Sequence, residues 1–137
     1  MHNRILDSRT TGPQRTHLVF FDPGEECVQG LTDYVTNEGI DAASFTAIGG
    51  FEQTRLGFFN LETRGFDEIA FHEEQVEVLS LTGDILTTDD KLTVHGHVVV
   101  GRRDGTTAGG HLLMGAIQPI LIVTLVELLG HELHPHH

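Results

Sequence analysis

Leu92-Thr93-Val94-His95-Gly96-His97-Val98-Val99-Val100, followed across Asp104-Gly105 by Gly109-Gly110-His111, is the stretch around which the chain is organised. Its β-branched residues argue for a strand, and a period of two sets His95 and His97 on one face. Asp104-Gly105 is a turn pair whose glycine accepts positive φ, so a hairpin is expected. Folding about Asp104 places His97 opposite His111, with His95 further along the same face. Three imidazoles then converge, as a three-His metal site requires. Gly96 leaves the other face of the strand open for close packing. With 10 His in 137 residues, an H-x-H pair alone is a weak signal, and His134-Pro135-His136 is a second one. Read from these residues only, the cluster is either a metal site or a set of exposed or hydrogen-bonded strand histidines.

The length fits one domain with a real core, and 39% of the residues are apolar. Twenty acidic against 8 basic residues give a net charge of -12, which repels a phosphate backbone. Direct nucleic-acid binding is therefore disfavoured. A single cysteine, Cys27, forms no internal disulfide and lies in an amphipathic pattern, so a packed thiol in a reducing cytoplasm is expected. The N-terminal stretch lacks the apolar core of a signal peptide, and no apolar run reaches the roughly 18 residues of a membrane span. Ile120 to Leu129, the longest candidate, is short and carries Glu127.

Taken in order, Met1 to Arg15 mixes charge, Thr, Gly and Pro without periodicity and is expected to be a flexible arm. Thr16 to Phe21 reads as a strand. Asp22-Pro23-Gly24-Glu25 has the form of a helix start, with Asp as N-cap, Pro at N1 and Glu at N3. Cys27, Val28, Leu31, Tyr34 and Val35 then recur at helical spacing until Gly39. Ala42 to Ile48, Arg55 to Asn60, Phe66 to Phe71 and Gln75 to Thr82 read as separate strands, and further strands run from Gly110 to about Leu128. Phe58 and Phe59 point to opposite faces; if both are buried, a neighbouring subunit covers the second face. Residues 130–137 carry four His and read as a metal-binding tail. The expectation is an α+β fold, a mostly antiparallel sheet of about seven strands with one main helix packed on it, over residues 16–129.

Pro23-Gly24-Glu25-Glu26, Phe45-Thr46-Ala47-Ile48-Gly49-Gly50, Leu56-Gly57-Phe58-Phe59, Val76 to Gly83, His95-Gly96-His97 and Gly109-Gly110-His111-Leu112 occur in this order. The set resembles the PPC domain, named for plants and prokaryotes, over about Thr16 to Glu127. The resemblance implies a compact α+β domain that assembles as a homotrimer. It also implies zinc carried by His95, His97 and His111. Plant members attach the domain to an AT-hook, which this chain lacks. The position resembling their Gly-Arg-Phe-Glu-Ile-Leu signature reads Glu74-Gln75-Val76-Glu77-Val78-Leu79.

Two functional readings follow. In the first, the chain is an assembly or binding module whose zinc stabilises subunits or holds a small ligand. In the second, it is an enzyme, since the PPC fold is similar to that of acetolactate decarboxylase and of a small ester hydrolase family, both with zinc on three histidines. Glu77 would then shuttle protons and Arg55 would steady an anionic substrate. The plainer alternatives are a solvated strand carboxylate and an exposed strand arginine.

Overall fold

The computed structural model describes residues 1–5 and 14–128, so residues 130–137 and most of the N-terminal stretch lie outside the described residues. The elements are β1 (His2–Ile5), β2 (Gln14–Phe21), α1 (Cys27–Asn37), β3 (Ala42–Phe59), β4 (Phe66–Phe71), β5 (Val76–Thr88), β6 (Lys91–Gly101) and β7 (Thr107–Leu128). Every strand pairing is antiparallel. Six long strands, β2 to β7, make the sheet, with the short β1 added at its edge. The strand count differs from expectation because Ala42 to Phe59 is one continuous strand rather than two. It bends at a bulge between Ala47 and Gly49 instead of breaking there. Part of the expected arm is also strand, since β1 pairs with β2 and the Met1 ammonium sits 3.1 Å from Asp22.

β3 runs along one edge of β7. The other edge of β7 pairs first with β6 and then with β2. Because β3 also pairs with β5, and β5 with β6, the strands β3, β5, β6 and β7 close a ring. That closure curls the sheet and gathers four strands around one outward-facing patch.

The helix packs inside the curl, against β7 and β6. Its buried residues Cys27, Leu31, Tyr34 and Val35 join Phe21, Phe51, Leu121 and Val123 in the core. It starts later than the sequence suggests. Asp22 to Glu25 forms a turn, in which the Glu25 N–H donates to the Asp22 carbonyl and Glu25 Oε1 accepts from the Asp22 N–H. Gly24, at φ +91°, donates to Ile117 O, and Ile117 donates back to Glu25 O, so the turn is pinned to β7 before the helix begins. Glu26 is the N-cap, its carboxylate accepting from the Val28, Gln29 and Gly115 N–H groups. Gly39, at φ +68°, ends the helix as expected.

A buried polar chain ties β2, α1 and β7 together. His17, 0% exposed, places Nδ1 2.6 Å from the Tyr34 hydroxyl and Nε2 3.1 Å from Glu127 Oε2. Arg15 reaches the same carboxylate at 3.0 Å. Both ring nitrogens of this buried imidazole therefore have a hydrogen-bond partner. Among the described residues, no helix is long and apolar enough to cross a membrane.

Candidate metal centre

The hairpin between β6 and β7 has the expected register: His97 faces His111, Val98 faces Gly110, and Val100 faces Ala108. Burial alternates along β6, with Gly96, Val98 and Val100 inside and His95 and His97 outside. The small residue between the two histidines has a packing cause. The Phe45 ring and the Leu81 side chain lie beneath Gly96, and a Cβ there would stand 3.4 Å from the ring and 3.0 Å from Leu81 Cδ1.

The three imidazoles converge on the outer face. Ring centroids are 4.9 Å apart for His95 and His97, 5.2 Å for His95 and His111, and 4.5 Å for His97 and His111. One nitrogen from each lies within 4.8 Å of the others. Tetrahedral nitrogens about 2.0–2.1 Å from zinc stand about 3.4 Å apart, so modest ring rotations close the set. Burial, then the neighbouring His97 and His95, lower the pKa of His111 from its ordinary value. Its lone pair is thereby kept available. The donor set fits a divalent transition metal that suits imidazole, with a fourth position open.

A groove of about 490 Å³ opens from His97 and His111. Phe58, Phe59 and Val99 supply apolar surface to its lining, and Ser80 and Thr82 supply hydroxyls. Phe66 stacks edge-on against His111 at 4.8 Å and against Phe59 at 5.7 Å, continuing the aromatic surface to the metal position. Phe58 is 72% and Phe59 38% exposed, so neither ring is buried.

The two accessory residues expected from the sequence are elsewhere. Glu77 pairs in register with Gly101 and lines a separate small groove with Arg102 and Arg103. Arg55 is held by Glu68 at 3.1 Å and does not line the histidine groove. A bulge between Val78 and Ser80 shifts the alternation of β5, turning Ser80 and Thr82 outward and Leu81 inward. Beyond it, Thr82 faces His97 and Asp84 faces His95. Asp84 is the carboxylate that the register sets beside the cluster. The alternation of the hairpin alone would have found it, had β5 been paired to β6 at the correct register.

The Plants and Prokaryotes Conserved (PCC) domain model matches residues 8–129. The chain belongs to this family. It is the family called PPC above, and its solved structures share the fold. A plant- and prokaryote-conserved (PPC) protein from Pyrococcus horikoshii is 27% identical with a TM-score of 0.81, covering 95% of this chain and 84% of that one. A metal-containing protein from Archaeoglobus fulgidus is 28% identical with a TM-score of 0.78, over 85% and 81% of the two chains. A protein from Bacteroides thetaiotaomicron, provisionally named as DNA-binding, is 27% identical with a TM-score of 0.76, over 94% and 85%. No curated protein matches the chain.

Proposed function

We propose that this PPC-domain protein is a cytoplasmic homotrimer that holds a divalent metal, zinc in the first instance, on His95, His97 and His111. The observation that carries the reading is the placement of three imidazole nitrogens within 4.8 Å at the end of a groove. The metal-containing relative from Archaeoglobus fulgidus supports it. Ile48 and Leu79, 59% and 52% exposed, flank a second cleft with Ile122 on the outer sheet face. Apolar side chains displayed there favour a second copy of the chain as neighbour. Direct DNA binding is disfavoured by the net charge of -12, and Arg15, Arg55 and Arg102 are each committed to a glutamate.

The groove also supports a metalloenzyme as a second reading. Three protein ligands leave a coordination position open, and structural zinc sites usually close all four. A metal bound there supplies Lewis acidity, polarising a carbonyl or lowering the pKa of its water to about 7. Decarboxylation and ester hydrolysis are the reactions that use such a centre in similar folds. Asp84, rather than Glu77, stands in register to orient His95 or carry a proton.

The deciding experiment is metal analysis of a chain ending at Gly130, purified without added metal, with native mass measured on the same sample. One zinc per chain in a trimer supports the reading. His97→Ala should then lower zinc affinity by at least about tenfold. Unchanged affinity in that variant would sink the site, and a metal-free trimer would leave a partner-binding scaffold.

A further inference from the structure

The metal reading leaves open what the groove beside the histidines is for, and the groove's own chemistry restricts the answer. This inference rests on that reading. Among the described residues lining the groove there is no Lys, Arg, Asp or Glu. Three neutral imidazoles leave the charge of a divalent ion intact. Asp84, opposite His95 in the β5–β6 pair, contributes one negative charge at the cross-strand distance of about 5 Å. One positive charge remains, which a monoanion neutralises. A second anionic group would find no Lys or Arg in the lining, and a cation would be repelled.

The apolar lining is equally selective. Phe59 and Val99 present apolar surface on the histidine face, and Phe66 links Phe59 to His111 edge-on. Planar apolar groups pack on such surfaces. A volume of about 490 Å³ falls within the range of small-molecule pockets. The net charge of -12 opposes the approach of an anion. At physiological salt that field is screened beyond about 8 Å, so attraction by the adjacent metal decides the outcome inside the groove.

We infer that the groove binds a small monocarboxylate with a planar apolar tail. The carboxylate faces the metal position at His95, His97 and His111, and the tail lies along Phe59 and Val99, the side chains that alternation sets on the histidine face. Ser80 and Thr82 offer hydroxyls on the β5 side, so a hydroxyl or carbonyl on the ligand is accommodated there.

The test uses the full chain loaded with one equivalent of cobalt(II), whose visible spectrum reports coordination. A variant carrying His97→Ala and His111→Ala, loaded identically, supplies the background from the remaining histidines. Phenylacetate, acetate and neutral phenylacetamide are titrated in turn. Burying about 60 Å² of ring on the aromatic wall is worth about tenfold, so phenylacetate should perturb the cobalt spectrum about tenfold more tightly than acetate. Phenylacetamide should leave the spectrum unchanged. Phe59→Ala, near the end of β3, should cut the preference to about threefold or less, whereas Phe58→Ala, on the opposite face, should keep it. Equal affinities for the two carboxylates, or a preference that survives Phe59→Ala, would overturn the inference while leaving the metal site standing. A cobalt spectrum identical to that of the double variant would overturn the metal reading and this inference together.

Discussion

Replacing Gly83 by alanine tests the packing that carries the histidines. Gly83 faces Gly96, between the Thr82–His97 and Asp84–His95 pairs. A Cβ on Gly83 would lie 2.0 Å from the His95 carbonyl oxygen, 2.8 Å from Gly96 Cα and 2.8 Å from the Phe45 ring. Two of those neighbours are backbone, so relief requires β5 and β6 to part by about 1 Å or more. The same change at Gly96 meets Leu81 Cδ1 at 3.0 Å and the Phe45 ring at 3.4 Å, and the Leu81 methyl can turn aside. Both substitutions gain about 0.5–1 kcal/mol, because alanine loses less backbone entropy on folding than glycine. For Gly83→Ala the clash wins, at a net cost of about 3 kcal/mol, the upper part of the overpacking range. For Gly96→Ala the two effects nearly cancel, leaving stability within about 1 kcal/mol of the parent. In a chain of this length, 3 kcal/mol lowers Tm by about 10 °C. Thermal unfolding of both variants should be recorded at equal protomer concentration, with zinc affinity measured by chelator competition. Because the strain moves β6 relative to β7, Gly83→Ala should also weaken zinc by about tenfold through His95 and His97. A Gly83→Ala protein with parental Tm and zinc affinity would refute the reasoning, and so would equal losses at the two glycines.

Three further outcomes are expected. Tyr34→Phe removes the hydroxyl that faces His17 Nδ1 at 2.6 Å; leaving a buried nitrogen unsatisfied should cost about 1–3 kcal/mol in urea unfolding, and an unchanged midpoint would mean the chain contributes nothing. Burial pushes the Cys27 thiol pKa well above its ordinary value, so a disulfide reagent at pH 8 should react only as the protein unfolds; rapid labelling of the native state would contradict the packing. Glu77→Gln should leave zinc affinity within about twofold of the parent, whereas a tenfold loss would return Glu77 to the site.

The histidine hairpin was readable in the sequence because each of its determinants is local. β-Branched residues on either side of Gly96, the Asp104-Gly105 turn and the period of two together specify which residues face one another, and the observed pairing of His97 with His111 follows. Gly96 likewise announced the close packing now seen against Phe45 and Leu81. The helix was readable as a stripe but not at its start. Asp22-Pro23-Gly24-Glu25 has capping chemistry, yet two hydrogen bonds to Ile117, more than ninety residues away, hold it as a turn. A capping pattern cannot reveal a partner so distant in sequence.

The misplacement of Glu77 has the same origin in longer-range structure. Strict alternation from Val76 put Leu81 with Glu77 on one face and Ser80 and Thr82 on the other. Burying Leu81 against Phe45 and Gly96 requires one extra residue in β5, and the bulge between Val78 and Ser80 provides it. The consequence is a change of register for everything downstream on that strand: Thr82 and Asp84 come opposite the two β6 histidines, while Glu77 stays at the far end beside Arg102 and Arg103. A bulge costs a ladder position and is retained where it re-aims side chains. Here it sets two hydroxyls in the groove and one carboxylate beside His95, which are the polar groups a metal-bound ligand would meet. Deleting Leu79 therefore provides a direct check. If the bulge closes without moving Leu81, then Ser80, Thr82 and Asp84 keep their partners on β6, so zinc affinity and phenylacetate binding should both stay within about twofold of the parent. A tenfold loss of zinc affinity would show instead that the deletion slides Thr82 and Asp84 off the two histidines, and would refute the register argument.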